Sequence, residues 1–213
     1  MRIGLLTDTH LPSTIRHLWD EVKVAFAGVD LILHGGDIVT ARVLDWLEEI
    51  APTRAARGNN DGGWGDPRMQ DIHWLDLEGW RLAMIHDMEP EERPVEELKK
   101  LYLKGNHADI IVTGHTHYER LDYRAGVLQI NSGSPTHPHL WSTRLGTVGL
   151  LDLTPGKFTA RVIRLGESRR GAFLRSGDAA LATASGKGKL RTWQNITCRF
   201  GYRVPLLACP AVL

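Results

Sequence analysis

The sequence predicts a mixed α/β fold: a mixed sheet, or two sheets packed face to face, with helices outside. Two observations carry this. From Ile3 to Ala56, short apolar runs alternate with stretches whose apolar residues recur at helical spacing, the pattern of strand–helix units. From Ile72 onward, apolar runs come in pairs around turn residues, which reads as hairpins. A sheet fed first by strand–helix units and later by hairpins must mix parallel and antiparallel neighbours.

The elements follow in order. Ile3 to Thr7 is a short strand. Ser13 or Thr14 caps a helix to about Ala27, with Leu18, Val22, Ala25 and Phe26 as its apolar stripe and Gly28 closing it. Asp30 to His34 is a buried strand. A second helix runs from Thr40 to about Ile50, presents Val43, Leu44 and Leu47 on one face, and stops at Pro52. Thr53 to Arg57 is a weaker strand. A hairpin pairs Ile72–Leu77 with Trp80–Ile85, and a helix spans about Pro94 to Leu103. The strand Asp109 to Thr113 comes next. Two further hairpins join Glu119–Tyr123 to Val127–Asn131, and Gly146–Leu153 to Phe158–Leu165.

Periodicity fades beyond Leu165. From Gly166 onward there are eight Lys/Arg and two Asp/Glu; the preceding residues carry 18 and 23. All ten histidines precede Gly166. The expectation is a domain over residues 1–165 and a basic, poorly ordered appendage over 166–213. No apolar run approaches the ~18 residues of a membrane span. The run Met1–Leu6 meets Asp8 too early for a secretory leader, so a cytoplasmic protein is expected. The two cysteines, Cys198 and Cys209, offer the fold neither a disulfide framework nor a thiolate site. The basic tail has no interleaved aromatics to stack bases, so nucleic acid is not an expected partner.

Polar residues end the apolar runs. Asp8/His10, Asp37, Asn59/Asn60/Asp61, His86 and His115/His117 each follow a predicted strand. In sheets of strand–helix units, ligands lie beyond the carboxyl ends of the strands. If the run before Gly114 continues as a strand, His115 and His117 project to one side of it. Carboxylate, amide and imidazole without thiolate favour a hard-to-borderline divalent cation. A carboxylate such as Asp37 has two oxygens and could bridge two. Gly35, Gly36, Gly58 and Gly114 allow close backbone approach there.

Asp8-x-His10, Gly36-Asp37, Gly58-Asn59-x-Asp61, His86 and Gly114-His115-x-His117, in this order, resemble the calcineurin-like metallophosphoesterase superfamily. The chain length and the Asp8-x-His10 gap are similar to its small single-domain phosphodiesterase branch, which also includes the retromer scaffold subunit. The resemblance covers about residues 1–165. It implies a four-layer αββα sandwich of two mixed sheets flanked by helices, and a dinuclear site. One ion would be held by Asp8, His10, Asp37 and His117, the other by Asp37, Asn59, His86 and His115. The implied activity is that of a metal-dependent phosphoesterase, a phosphodiesterase first. A hydroxide bridging two cations would attack phosphorus in line, with Asn59 and Asn60 neutralising developing charge. Mn²⁺ is the expected activator, with Fe, Ni or Zn as alternatives. The expected partner is a small phosphodiester or nucleotide-like molecule, and a homo-oligomer is compatible with the sequence. The rival reading keeps the fold as a weakly catalytic scaffold or a nucleotide sensor.

Three positions depart from the family pattern. Asn60 stands where many members carry a histidine that can protonate the leaving group. Asp87 replaces the glycine that often follows His86. Ser132 interrupts the usual Asn-Pro-Gly-Ser loop. Other polar residues read as structural: His34 as a hydrogen-bonded core histidine, Gly105-Asn106-His107 as a helix terminus, and His137 and His139 as solvated-loop residues, with substrate contact as the alternative.

Overall fold

A computed structural model describes residues 1–138, 145–166, 178–185 and 190–194. Two mixed sheets lie face to face. The first is built on β1 (Arg2–Leu6), which pairs parallel with β2 (Leu31–His34), followed by β3 (Thr53–Ala56) and the two-residue β4 (Met69–Gln70). On its other edge β1 pairs antiparallel with β10 (Thr147–Thr154), which turns into β11 (Lys157–Arg164). The second sheet has the order β5 (Ile72–Leu77), β6 (Trp80–Ile85), β7 (Ile110–Thr113), β9 (Val127–Ser132), β8 (Glu119–Arg124). Here β6, β7 and β9 run parallel and the two flanking pairs are antiparallel. Of the segment 166–213, Gly166 and two strands, β12 (Asp178–Ser185) and β13 (Leu190–Gln194), are described; the strands extend the first sheet from β11.

Three apolar layers hold this together. Ile3, Leu5 and Leu33 meet Leu82, Ile110, Leu128 and Ile130 between the sheets, with Trp80 edge-on to Phe158. Outside the first sheet, α1 (Asp20–Ala25) and α2 (Ala41–Glu48) bury Val22, Val43, Leu44 and Leu47. Outside the second, α3 (Val95–Tyr102) buries Val95 and Leu98 against Ala83 and Ile111. The result is the αββα order. Among the described residues no helix is long and apolar enough to cross a membrane.

The first helix departs from the sequence expectation. It begins at Asp20, not at Ser13 or Thr14. The two hydroxyls are spent closing the turn after β1: Ser13 Oγ donates to His10 O, and Thr14 Oγ1 to Thr9 O. Short hydroxyl side chains bond nearby backbone in this way and compete with helix. Thr40 does precede α2, but its side chain makes no capping hydrogen bond. Gly105, at φ 75°, returns its N–H to Lys99 O and ends α3 as expected.

Candidate metal centre

The parallel strands deliver the polar residues. β1 leads to Asp8 and His10, β2 to Asp37, β3 to Asn59 and Asn60, β6 to His86, and β7 to His115 and His117. These residues meet at the carboxyl ends of both sheets.

They form two groups that share Asp37. In the first, His10 Nε2 lies 3.2 Å from His117 Nε2, 3.4 Å from Asp37 Oδ2 and 3.9 Å from Asp8 Oδ1. His117 Nε2 lies 3.5 Å from Asp8 Oδ1. In the second, His86 Nε2 lies 3.5 Å from Asp37 Oδ1 and 3.1 Å from Asn59 Oδ1. His115 Nδ1 lies 2.9 Å from the same Asn59 oxygen. Asp37 thus offers one oxygen to each group.

The imidazole tautomers are set from behind. His117 Nδ1–H donates to His137 O at 2.7 Å, and His86 Nδ1–H donates to Gly35 O at 2.8 Å. In the neutral ring the other nitrogen is then a bare lone pair. Burial pushes His117 down to about 4 and lowers His10 and His86, so all three are neutral near pH 7. The bare Nε2 atoms of His86 and His117 face carboxylate oxygens. Lone pair against lone pair is repulsive unless a proton or a metal cation lies between. Adjacent ligands on one ion with bonds of ~2.1 Å are separated by about 3.0–3.4 Å; the 3.1, 3.2 and 3.4 Å separations found here fall in that range, and those of 2.9, 3.5 and 3.9 Å lie just outside it. The residues therefore fit divalent cations.

The carboxylates agree. Asp8 is fully buried, and burial together with the Asp37 charge pushes its carboxyl well above the usual range despite donation from Thr7 Oγ1 and the His115 N–H. A cation would reverse that. Burial also raises Asp37, but donation from the Asn60 N–H at 2.8 Å and the Asn60 amide at 2.6 Å, with His86 and His10 nearby, outweighs it; the net shift is downward.

Several features had no signal in the sequence. β7 stops at Thr113, and His115 and His117 are not alternating strand residues; they sit in a left-handed turn at φ 69° and 60° and serve different groups. Asp8, His10 and Asp37 share this conformation, with φ of 54°, 47° and 56°. Such residues cost about 1–3 kcal/mol each and concentrate at functional sites. The glycines are explained by contact. A Cβ on Gly58 would sit 2.1 Å from Asp37 Oδ1, and one on Gly114 would sit 2.0 Å from Thr7 Oγ1. The Asn60 side chain, though exposed, donates to Asp37. Asp61, wholly buried, accepts from the N–H groups of Ile38, Val39 and Gly58 and ties two loops together. His34 is buried as expected, accepting from Gly36 N and contacting Thr9 Oγ1. Asp87 is an exposed rim residue that accepts from Glu89 N; its carboxylate stands close to those of Glu89 and the His115 ring. His137 approaches His10 and His117, against the solvated-loop expectation. His139 lies outside the described residues.

A cavity of about 620 Å³ opens beside His115. Glu89, Glu91, Glu92, Tyr118 and Arg120 form its wall, and Arg120 is itself engaged by Glu91, Glu92 and Asp122.

The model of the calcineurin-like phosphoesterase superfamily domain matches residues 1–156. The chain belongs to this superfamily. A protein named probable metallophosphoesterase from Methanothermobacter thermautotrophicus is 33% identical over 78% of this chain and 94% of its own length. A phosphodiesterase from Methanocaldococcus jannaschii is 30% identical over 71% of this chain and 93% of its own. Among solved structures, vacuolar protein sorting 29 from Cryptosporidium parvum superposes with a TM-score of 0.70 at 20% identity, over 86% of this chain and 97% of that one. At that identity the likeness speaks for the superfamily fold alone.

Proposed function

We propose that this superfamily member is a metal-dependent phosphodiesterase. One divalent cation is held by Asp8, His10, Asp37 and His117, and the other by Asp37, Asn59, His86 and His115. The observation that carries this reading is the pair of bare imidazole nitrogens, His86 Nε2 and His117 Nε2, fixed against carboxylate oxygens at 3.5 Å. The phosphodiesterase name of the 30% identical relative supports the reaction class.

Two bound cations would supply a water acidic enough to ionise near neutral pH and positive charge against the phosphate. The remaining work belongs to the chain. Asp37 holds one oxygen toward each group, and Asn60 fixes its plane through two hydrogen bonds. His86 and His117 present lone pairs because backbone carbonyls hold their other nitrogens. With its amide committed to Asp37, Asn60 cannot protonate a leaving group. That favours activated esters, whose alcohol departs without help. The carboxylates around the adjacent cavity oppose polyanionic chains and favour a small diester with no further phosphates. Mn²⁺ remains the first choice of activator in an assay.

The test compares bis-p-nitrophenyl phosphate with p-nitrophenyl phosphate after chelation and re-addition of Mn²⁺. Faster diester hydrolysis that vanishes with chelator is the expected result. Two bound ions without turnover of either compound would leave the scaffold reading in its place.

A further inference from the structure

We propose that His137 is a third imidazole ligand of the cation held by Asp8, His10 and His117, and that it makes this site selective for borderline cations over Mn²⁺. The inference rests on the metal-centre reading above and extends it to a residue outside the superfamily motifs.

The geometry points there directly. One ring nitrogen of each of His10, His117 and His137 lies within 4.8 Å of the other two. The His137 ring stands edge-on to both partners, with centroids 5.8 Å from His10 and 5.2 Å from His117. Two ligands on opposite sides of an ion with ~2.1 Å bonds are about 4.2 Å apart.

The loop is also held where such a ligand needs it. Ser134 Oγ donates to Asp8 O at 2.7 Å and accepts from His137 N at 2.8 Å. Thr136 Oγ1 donates to Thr9 O at 2.6 Å, and Trp19 Nε1 donates to Pro135 O at 2.9 Å. The His137 carbonyl meanwhile orients His117. The segment that carries His137 is thus bolted to the backbone of Asp8 and Thr9 and to a ring of the same group. A solvated loop would need none of this. His137 comes sixth in a series: β9 leads to its loop as β1, β2, β3, β6 and β7 lead to theirs.

Selectivity follows from the donor count. With His137 the first group offers three imidazoles and two carboxylates; the second offers two imidazoles, an amide oxygen and a shared carboxylate. More nitrogen shifts preference toward Zn²⁺, Co²⁺ and Ni²⁺, and more oxygen toward Mn²⁺. The two ions would then differ.

The experiment uses the full chain, stripped of metal and loaded with one equivalent of Zn²⁺ or Co²⁺, as wild type and as His137→Gln. His17→Gln, an exposed histidine against Trp46, is the control. Zn X-ray absorption should count one imidazole fewer in His137→Gln, and the Co²⁺ absorption bands should shift. By chelator competition the variant should lose at least about tenfold in Zn²⁺ affinity and less than about threefold in Mn²⁺ affinity. The loop is held by backbone groups, Ser134 and Thr136, so the metal-free variant should keep the wild-type thermal midpoint. An unchanged imidazole count and unchanged Zn²⁺ affinity in a variant that still takes up two ions would overturn the proposal and leave the phosphodiesterase reading standing. A wild-type protein that takes up no ion would overturn both.

Discussion

The two halves of the metal centre use the same residue types in different surroundings. Around Asp8 nearly everything is enclosed: Asp8 is fully buried, His117 is 4% exposed, and each is braced from behind. Around Asn59 the site is open. Asn59 is exposed, His115 is half-buried beside an acidic rim, and only His86 is both buried and braced. Enclosure raises the worth of every charge contact and removes the cost of ordering ligands on binding. On the proposed reading, the comparison teaches that the first ion would belong to the framework and the second to the exposed surface. Asp37 couples them. Asp37→Asn should remove both, with losses in metal affinity and turnover beyond the ~100-fold ceiling of changes in supporting residues. His86→Ala should remove only the exposed ion. Metal stoichiometry by calorimetry would show zero or one ion against two; equal loss in both variants would erase the distinction between the halves.

The open half depends on a residue whose carboxylate binds backbone alone among its hydrogen-bond partners. Asp61 accepts three backbone N–H groups and joins the loop carrying Asp37 to the one carrying Asn59. It also restrains Val39, a β-branched residue at φ 73°. Asp61→Ala leaves three donors without an acceptor, each costing about 1–3 kcal/mol. A loss of about 3 kcal/mol or more is expected in urea unfolding of the metal-free protein. The second ion should weaken more than the first, because the Asp8 loop has its own bonds to Ser134 and Thr136.

The enclosed half rests on the most strongly shifted histidine of the site. His34 lies beneath it, joining the loops of Asp8 and Asp37 through Thr9 and Gly36. Burial lowers it from 6.5 to about 3. Its folded value lies below its unfolded one, so the unfolded chain takes the proton first as pH falls. The contribution is complete above pH 6.5 and is lost progressively toward pH 3, at about 1.4 kcal/mol per pH unit. His34→Gln keeps an acceptor and a donor but cannot titrate. In chelator, its unfolding free energy should fall less steeply with acid than that of wild type by roughly that slope. Parallel curves would mean that His34 is protonated in the folded state.

Much of this was legible from the chain alone, for physical reasons. Strand and helix periods marked both sheets, and the residue types closing each run marked the centre, because metals dictate ligand chemistry. What stayed hidden was conformation. Nothing in a one-letter sequence says that Asp8, His10, Asp37, His115 and His117 take left-handed backbone, although Asp and His tolerate it better than most residues. So the His115/His117 pair reads as one face of a strand when its two rings face different groups of the site. Ser13 and Thr14 read as helix caps because their competing turn needs a carbonyl placed by the left-handed His10. Asn60 reads as a substrate contact because its neighbour Asp37 is distant in sequence.

Asn60 supplies the smallest and most pointed test of the comparison. Its two hydrogen bonds go one to each oxygen of Asp37, the backbone N–H to Oδ1 and the amide to Oδ2. The side chain therefore supports the oxygen that faces the enclosed group, and the backbone supports the one that faces the open group. Asn60→Ala removes only the first. A supporting hydrogen bond of this kind is worth at least about tenfold in metal affinity, and exposure of Asn60 keeps the loss near that lower limit. The affected ion should be the tighter one, the reverse of what exposure alone would suggest. Stepwise chelator titration of wild type and Asn60→Ala would read it. A loss confined to the weaker ion would mean that the two oxygens of Asp37 are not divided between the groups, and the division of the centre into halves would have to be redrawn.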